Sequence, residues 1–512
     1  MLKKGMAAVA AALVFGTVFA SGARAADDAQ PVQGGTLNVG YLSDTKTLDP
    51  IVSQQWTERP ILFLMFDSLV DLAPDFSLKP GLAESWTFEN GEKRIVLHLR
   101  KGVSFHDGTP FDAAAVKWNF DVRLDPAANS SQRSQLASVV TSVDVVDEHT
   151  VAINLTQPYP PLLAQLADRA GLMVSPTAAK TWGKDLGSHP VGTGPFKFKD
   201  WVRGNHITLV RNEGFWQPGM PHLDGVTFND IPSNVVGVQR IAIGELDYVG
   251  QISPLDTRLA AANPDTALVA ATGGNWYSLQ WRWDTAPYSN EKFRQAVAHA
   301  LNRDRINAIV WAGKGQISDG VTPNGLWWTP TDLVHYSYDP AKARALLAES
   351  GIAPNTTLTL AAPSGDPLRR LAELIKEDLD AVGLKIQLAP VPQSEYYAKT
   401  VAGEIKFTPM RWTQRADPDG LIQYLFASNG AANSTGYKNA DVDTWIQEAR
   451  VTTDAELRKS LYNKIQRQIS ADLPYVPIGF SSEFSAIRKV AHGFTPMPDL
   501  IPRFRSMWKS AK

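Results

Sequence analysis

Arg411-Trp412-Thr413-Gln414-Arg415-Ala416-Asp417-Pro418-Asp419-Gly420 sets two guanidinium groups, an indole and two carboxylates within one short stretch. Three kinds of chemistry suit such a set. Paired carboxylates can act as general acid and base, acidic side chains can hold a cation, and guanidinium beside an indole can grip an organic ligand. Asp417-Pro418-Asp419-Gly420 is also a good turn sequence. Two acids two residues apart share a face only on an extended strand, which Pro418 disfavours, and neither has an evident partner to raise its pKa. A calcium loop needs further acids at fixed positions and a closing Glu, and none follows.

The elements that must carry this stretch read as mixed α/β. Gly35–Tyr41 alternates like a first strand. Ser85–Glu89, Asn90-Gly91 and the run to Arg100 spell a hairpin on a two-residue type I′ turn. Asp112 looks like the N-cap of a helix carrying Val116 and Phe120. Asp339-Pro340 and Asp366-Pro367 each supply a helix start, the first ending at Gly351 and the second at Gly383, with a strand expected over Lys385–Val391. A capping box of Thr453 and Glu456 opens a helix through Leu457, Leu461, Ile465 and Ile469 that stops before Pro474.

At 512 residues the chain exceeds what one core can grow to, so two or more lobes are expected. Composition is ordinary for a globular protein, at 44% hydrophobic and 20% charged, and a net charge of -2 leaves no electrostatic footprint for nucleic acid. Lys3 and Lys4, an apolar run from Met6 to Ala20, and Ala23-Arg24-Ala25 read as a secretory signal peptide over 1–25. The run is shorter than the roughly 18 to 20 residues that span a bilayer. With no cysteine there is neither a disulfide framework nor a lipid-modified cysteine. A periplasmic chain without a lipid anchor is the expectation.

Zinc-protease, Walker, serine-hydrolase and dinucleotide motifs are all missing. The nine histidines are scattered and none stands four residues from another, so no metal site and no cofactor is expected. Gly192-Thr193-Gly194-Pro195 lacks the lysine of a phosphate loop, and His106-Asp107-Gly108 is more simply a turn than an acid/base pair. Fifteen tryptophans are many. They gather at Trp276, Trp281 and Trp283, at Trp327-Trp328 and at Trp412. Alternation places Trp281 and Trp283 on one strand face, where they either pack a core or stack on a ligand.

Several blocks converge. Gly81-Leu82-Ala83-Glu84-Ser85-Trp86, Leu97 through Phe111, Val191 through Phe196, Asn212-Glu213-Gly214-Phe215-Trp216, Phe293 through Arg303 and Tyr338-Asp339-Pro340 together resemble family 5 solute-binding proteins. These are the extracytoplasmic receptors of peptide, nickel and oligosaccharide ABC importers. The resemblance covers nearly all of the chain after residue 25. It implies a two-lobed α/β clam shell with an extra subdomain in lobe I, lobe I spanning 32–272 and 484–512 and lobe II spanning 273–483. It further implies a monomer that captures a small organic solute, with peptide as the commonest class and an opine-like or aromatic acid or an oligosaccharide as the alternatives, and hands it to permease subunits in the membrane. The missing enzyme motifs agree with that role. An exported hydrolase using Asp417 and Asp419 and a periplasmic chaperone are the rival classes.

Peptide-binding members resembling this chain carry Trp-x-x-Asp where Trp412 stands, the Asp meeting the ligand's ammonium. Here the third residue on is Arg415, and the loop to Asp417-Pro418 is one residue shorter. A guanidinium repels an ammonium and forks onto a carboxylate. The expected ligand therefore presents an anion to Arg415, with Trp412 beside it, unless Arg415 pairs internally with Asp417 or Asp419. Asp417, Trp276, Tyr277, Trp281 and Tyr41 complete the expected binding set.

Overall fold

The alternating residues Thr36–Tyr41 form the strand expected of them, at the heart of a large mixed sheet in the computed structural model, which describes residues 30–42, 45–254, 256–353, 356–365 and 367–510. The signal segment expected over 1–25 and Asp366 lie outside the described residues. Thr36–Tyr41 pairs in parallel with Gly225–Asp230 and Tyr248–Ile252. Antiparallel neighbours, His206–Arg211 with Phe196–Val202 beyond it, extend one side of the sheet. On the other side two long strands, Tyr475–Arg488 and then Thr266–Trp281, lead to Phe407–Thr413 at the far edge.

The two long strands pair with each other on both sides of one irregularity. Thr266–Thr272 pairs with Ser482–Arg488, the register then shifts, and Trp276 onwards pairs with Phe480 and earlier residues. The shift falls at Gly273-Gly274, where Gly273 has φ +111 and a side chain on Gly274 would strike Leu500. Only glycine meets both demands without strain.

The extra subdomain is a four-stranded antiparallel sheet, ordered Ala83–Glu89, Arg94–Leu99, Thr150–Leu155, Val140–Asp147. Its hairpin differs from the two-residue turn expected at Asn90-Gly91. Glu89 pairs with Arg94, so the loop has four residues, and Asn90, Gly91 and Glu92 all take positive φ. The reason is not local: the Glu92 carboxylate accepts a hydrogen bond from the Thr453 hydroxyl of the other lobe. Thr453 stands one residue outside the helix cap. Asp454 caps the helix Ala455–Asp472 instead, accepting from the N–H groups of Glu456 at 2.9 Å and Leu457 at 3.0 Å. Asp112 and Asp339 cap their helices as expected.

Parallel strands Thr357–Pro363 and Lys385–Val391 flank the helix Leu368–Ala381, whose Leu371, Leu374, Ile375 and Leu379 are buried. Among the described residues no helix is long and apolar enough to cross a membrane.

The family blocks prove to be packing devices. Thr193 and Trp216 both donate to the buried Asp67 carboxylate at 2.9 Å, and Arg505 pairs with it from the C-terminal segment. Gly194 lies against the backbone of Leu64 and Met65, so the glycines here serve close approach. His106 bonds the Gly194 carbonyl at 2.9 Å, and burial lowers its pKa to about 4. Asp107 closes a turn on Thr109 and accepts from Ser175.

Candidate functional site

The strand Phe407–Thr413 delivers the charged loop. It pairs antiparallel with the long strand so that Trp276 stands opposite Trp412 and Tyr277 opposite Arg411. Alternation then buries Met410 and Trp412 and leaves Arg411 and Thr413 outward. Beyond Thr413 the chain leaves the sheet, and a helix opens at Asp419, running to Phe426. Between them Gln414 to Pro418 bends along the gap separating the lobes.

A cavity of about 410 Å³ occupies that gap. Its second-lobe wall comprises Gln414, Arg415, Ala416, Asp417 and Gly420. The first lobe contributes Arg59, Gln132, Tyr159, Gln165, Asp168 and Arg169, and the C-terminal segment adds Asp499 and Arg503. Arg59 pairs with Asp168 at 2.7 Å and Arg503 with Asp499 at 2.7 Å.

The loop's own carboxylates are already partnered within the protein. Asp417 receives a forked pair of bonds from Arg458, both at 2.7 Å. Burial alone would lower the Arg458 guanidinium, but the Asp417 charge outweighs it and holds it above its ordinary value. Asp419 pairs with Arg450 at 2.8 Å and accepts from the Tyr159 hydroxyl at 3.1 Å, a contact between lobes. Burial raises the Asp419 carboxyl to about 6.

Arg415 pairs with neither acid. Among the described residues it makes no ion pair and no side-chain hydrogen bond, so the internal pairing weighed from the sequence is not what the chain adopts. Its stem lies 3.0 Å from where a Gly420 Cβ would stand. The group is open to solvent yet enclosed by the cleft, and that enclosure, followed by the nearby Arg59 charge, lowers its pKa.

The aromatic residues expected beside it are elsewhere. Trp276 and Trp281 are 0% and 1% exposed; Trp276 packs on Tyr475 and Phe426, and Trp281 stacks with Tyr288 and Phe407. Side chains of this size bury roughly 150 to 250 Å² each, about 4 to 6 kcal/mol of transfer free energy, which is the energy scale of a core anchor. Trp412 is 5% exposed and meets Tyr397 and Tyr424 edge-on. Tyr277 packs on Trp311. Tyr41 lies on Phe228 in the first lobe, where burial raises its phenol above the ordinary value. None of these five lines the cavity. Trp283 falls past the strand end at Trp281 and stands edge-on to Tyr437 under Arg294, so it shares no strand face with Trp281.

Sequence reading missed Arg59, Tyr159, Asp168, Arg169 and Gln414. Gln414 is 2% exposed, donates to the Val321 carbonyl at 2.7 Å, and leaves its own side-chain oxygen without a partner.

Residues 77–433 match the profile of bacterial extracellular solute-binding proteins, family 5 Middle. The chain is a family 5 solute-binding protein. Such proteins bind small solutes and deliver them to ABC permeases, so its role is transport and not catalysis. A curated relative of this solute-binding protein is the glutathione-binding protein GsiB of Pectobacterium atrosepticum, 30% identical over 497 residues that cover 95% of this chain and 96% of the relative. Among solved structures, HbpA2 from Haemophilus parasuis superposes with a TM-score of 0.87 at 24% identity, covering 93% of this chain and all of that one. AgaA from A. tumefacien R10, in complex with agropinic acid, has a TM-score of 0.71 at 27% identity, covering 93% of this chain and 99% of its own. The two-lobed architecture of this solute-binding protein is that of its structural neighbours.

Proposed function

We propose that this protein captures a small peptide-like solute through a carboxylate that docks on Arg415 in the cleft between the lobes. One observation carries the reading: Arg415 is a cleft-lining guanidinium that makes no ion pair or side-chain hydrogen bond among the described residues, while both neighbouring carboxylates are already paired. A guanidinium held at a wall without an anion offers five N–H donors in a fork that fits a carboxylate. The relative's name supplies a fitting ligand, because glutathione is a tripeptide with free carboxylates. Agropinic acid, named for AgaA, makes a non-peptide organic acid the second reading.

Asp417 then serves by anchoring the loop, and Trp412 by seating the strand beneath it. The register break at Gly273-Gly274 is where 32–272 with 484–512 turns against 273–483. Residues 1–25 act as a leader cleaved after Ala25, and the remainder works as a periplasmic monomer.

Native mass spectrometry of the purified protein, followed by calorimetry with glutathione and short peptides, tests the reading. A retained or titrated acid that binds wild type but is weakened by Arg415→Ala supports it. Equal affinity of wild type and Arg415→Ala for the same ligand rejects it.

A further inference from the structure

Charge does not balance across the cavity. Its lining carries four guanidinium groups, Arg59, Arg169, Arg415 and Arg503, and three carboxylates, Asp168, Asp417 and Asp499. Asp168 is taken by Arg59 and Asp499 by Arg503, while Asp417 is answered from behind by Arg458. Two cations remain outside any ion pair among the described residues, although the Asp168 charge is felt by both. One is Arg415 on the second lobe. The other is Arg169 on the first, which donates to the Ser53 carbonyl at 2.9 Å and forms no ion pair among the described residues.

We propose that the solute is a dianion in the sense of carrying two ionised carboxylates, with or without an ammonium elsewhere, and that these bridge Arg169 and Arg415, one from each lobe. The inference rests on the assignment of Arg415 above and adds the second charge. Like charges enclosed in one cleft repel, and the cavity walls weaken the solvent screening that would otherwise mask them. A monoanion relieves only one of the two. A dianion neutralises both, and it makes its second contact only when the lobes stand close, which is the differential contact a closing ligand needs.

Calorimetry on the purified protein near neutral pH, with three probes and three proteins, decides it. The probes are glutathione, glutathione with its glycine carboxylate blocked as the ethyl ester, and glutarate. The proteins are wild type, Arg169→Gln and Arg415→Gln, with Arg169→Met standing in if Arg169→Gln does not fold. Esterification is expected to weaken wild-type binding at least about tenfold, the scale of one lost charge-assisted contact, and to cost less than about twofold in whichever variant lacks the facing guanidinium. Equal binding of glutathione and its ester to wild type, or the same loss in all proteins, overturns the dianion. If that happens while Arg415→Gln still weakens both probes, the Arg415 assignment survives alone. Glutarate binding as tightly as glutathione keeps the dianion and rejects the peptide. Failure of all three probes to bind wild type overturns both.

Discussion

Asp417 and Arg415 stand two residues apart on one loop, and their charges meet opposite fates. Behind the loop, Asp417 is forked by Arg458 and Asp419 is held by Arg450 and Tyr159. In front, Arg415 faces the cavity and pairs with no acid among the described residues. The back is a framework whose charges are already compensated, and the front is a surface whose compensation must come from outside. A loop carrying acids and bases together therefore divides them by side, and that division tells a ligand-gripping group from a structural one better than residue type does.

Breaking the back should produce the largest effect. Asp417→Ala leaves Arg458, 7% exposed, as a buried cation without its partner, and such losses cost about 3 to 5 kcal/mol. Urea unfolding should show that drop, and ligand binding should fall with it because the loop loses its anchor. A change below about 1 kcal/mol would mean the pair is no more than a surface ion pair.

Breaking the front should leave the fold alone. Arg415→Ala removes no protein contact beyond its own stem, so stability should stay within about 0.5 kcal/mol of wild type. Affinity for the carboxylate ligand should fall by about 1.5 to 3 kcal/mol, roughly ten- to a hundredfold. The same unfolding and calorimetry runs on both variants read the contrast directly. Equal stability losses for Asp417→Ala and Arg415→Ala would erase the distinction between the two sides.

A gentler change sharpens the front. Gly420 has no side chain where Arg415 Cβ and Cγ pass at 3.0 Å from the position a Cβ would take. Gly420→Ala should push the guanidinium aside and weaken binding by about 1 kcal/mol, roughly fivefold. Helix stability at this position should not suffer, because alanine is the better helix former. Unchanged affinity would show that the Arg415 stem is free to shift.

Local features were legible in the sequence, and convergent ones were not. Asp112 and Asp339 cap helices because a carboxylate reaches its own backbone two or three residues on, which sequence alone specifies. Thr453 misled because the adjacent Asp454 takes the cap with its carboxylate, and Thr453 bonds the distant Glu92. The tryptophans misled for a different reason. Tyr475–Arg488, running beside the long strand, is buried almost throughout, so alternation there selects between two interiors and not between core and cleft. Arg415 was legible only as a departure from the family pattern. Arg59, Arg169 and Tyr159 reach the same cavity from separate stretches, and no local spacing announces them.

The smallest effect tests the back through its pH dependence. Burial raises the Asp419 carboxyl to about 6, against an ordinary value of 3.8, although Arg450 opposes the shift. Arg450, Asp417, Arg458 and the Tyr159 hydroxyl are the ionisable groups that face it. Between about pH 4 and pH 6 the native state then holds a proton that the unfolded chain has released. Stability must fall as pH rises through that window, and the cost is complete above the native value. Asp419→Asn cannot ionise, so it should flatten this part of the stability profile, by on the order of 1 kcal/mol across the window once solvent relaxation is allowed for. Asn retains an oxygen for the Tyr159 hydroxyl, so the bond between lobes is kept while the charge is removed. Urea unfolding of both proteins across that pH range checks it. If the two profiles run parallel, Asp419 is ionised throughout and the Arg450 pairing, not burial, dominates behind the loop.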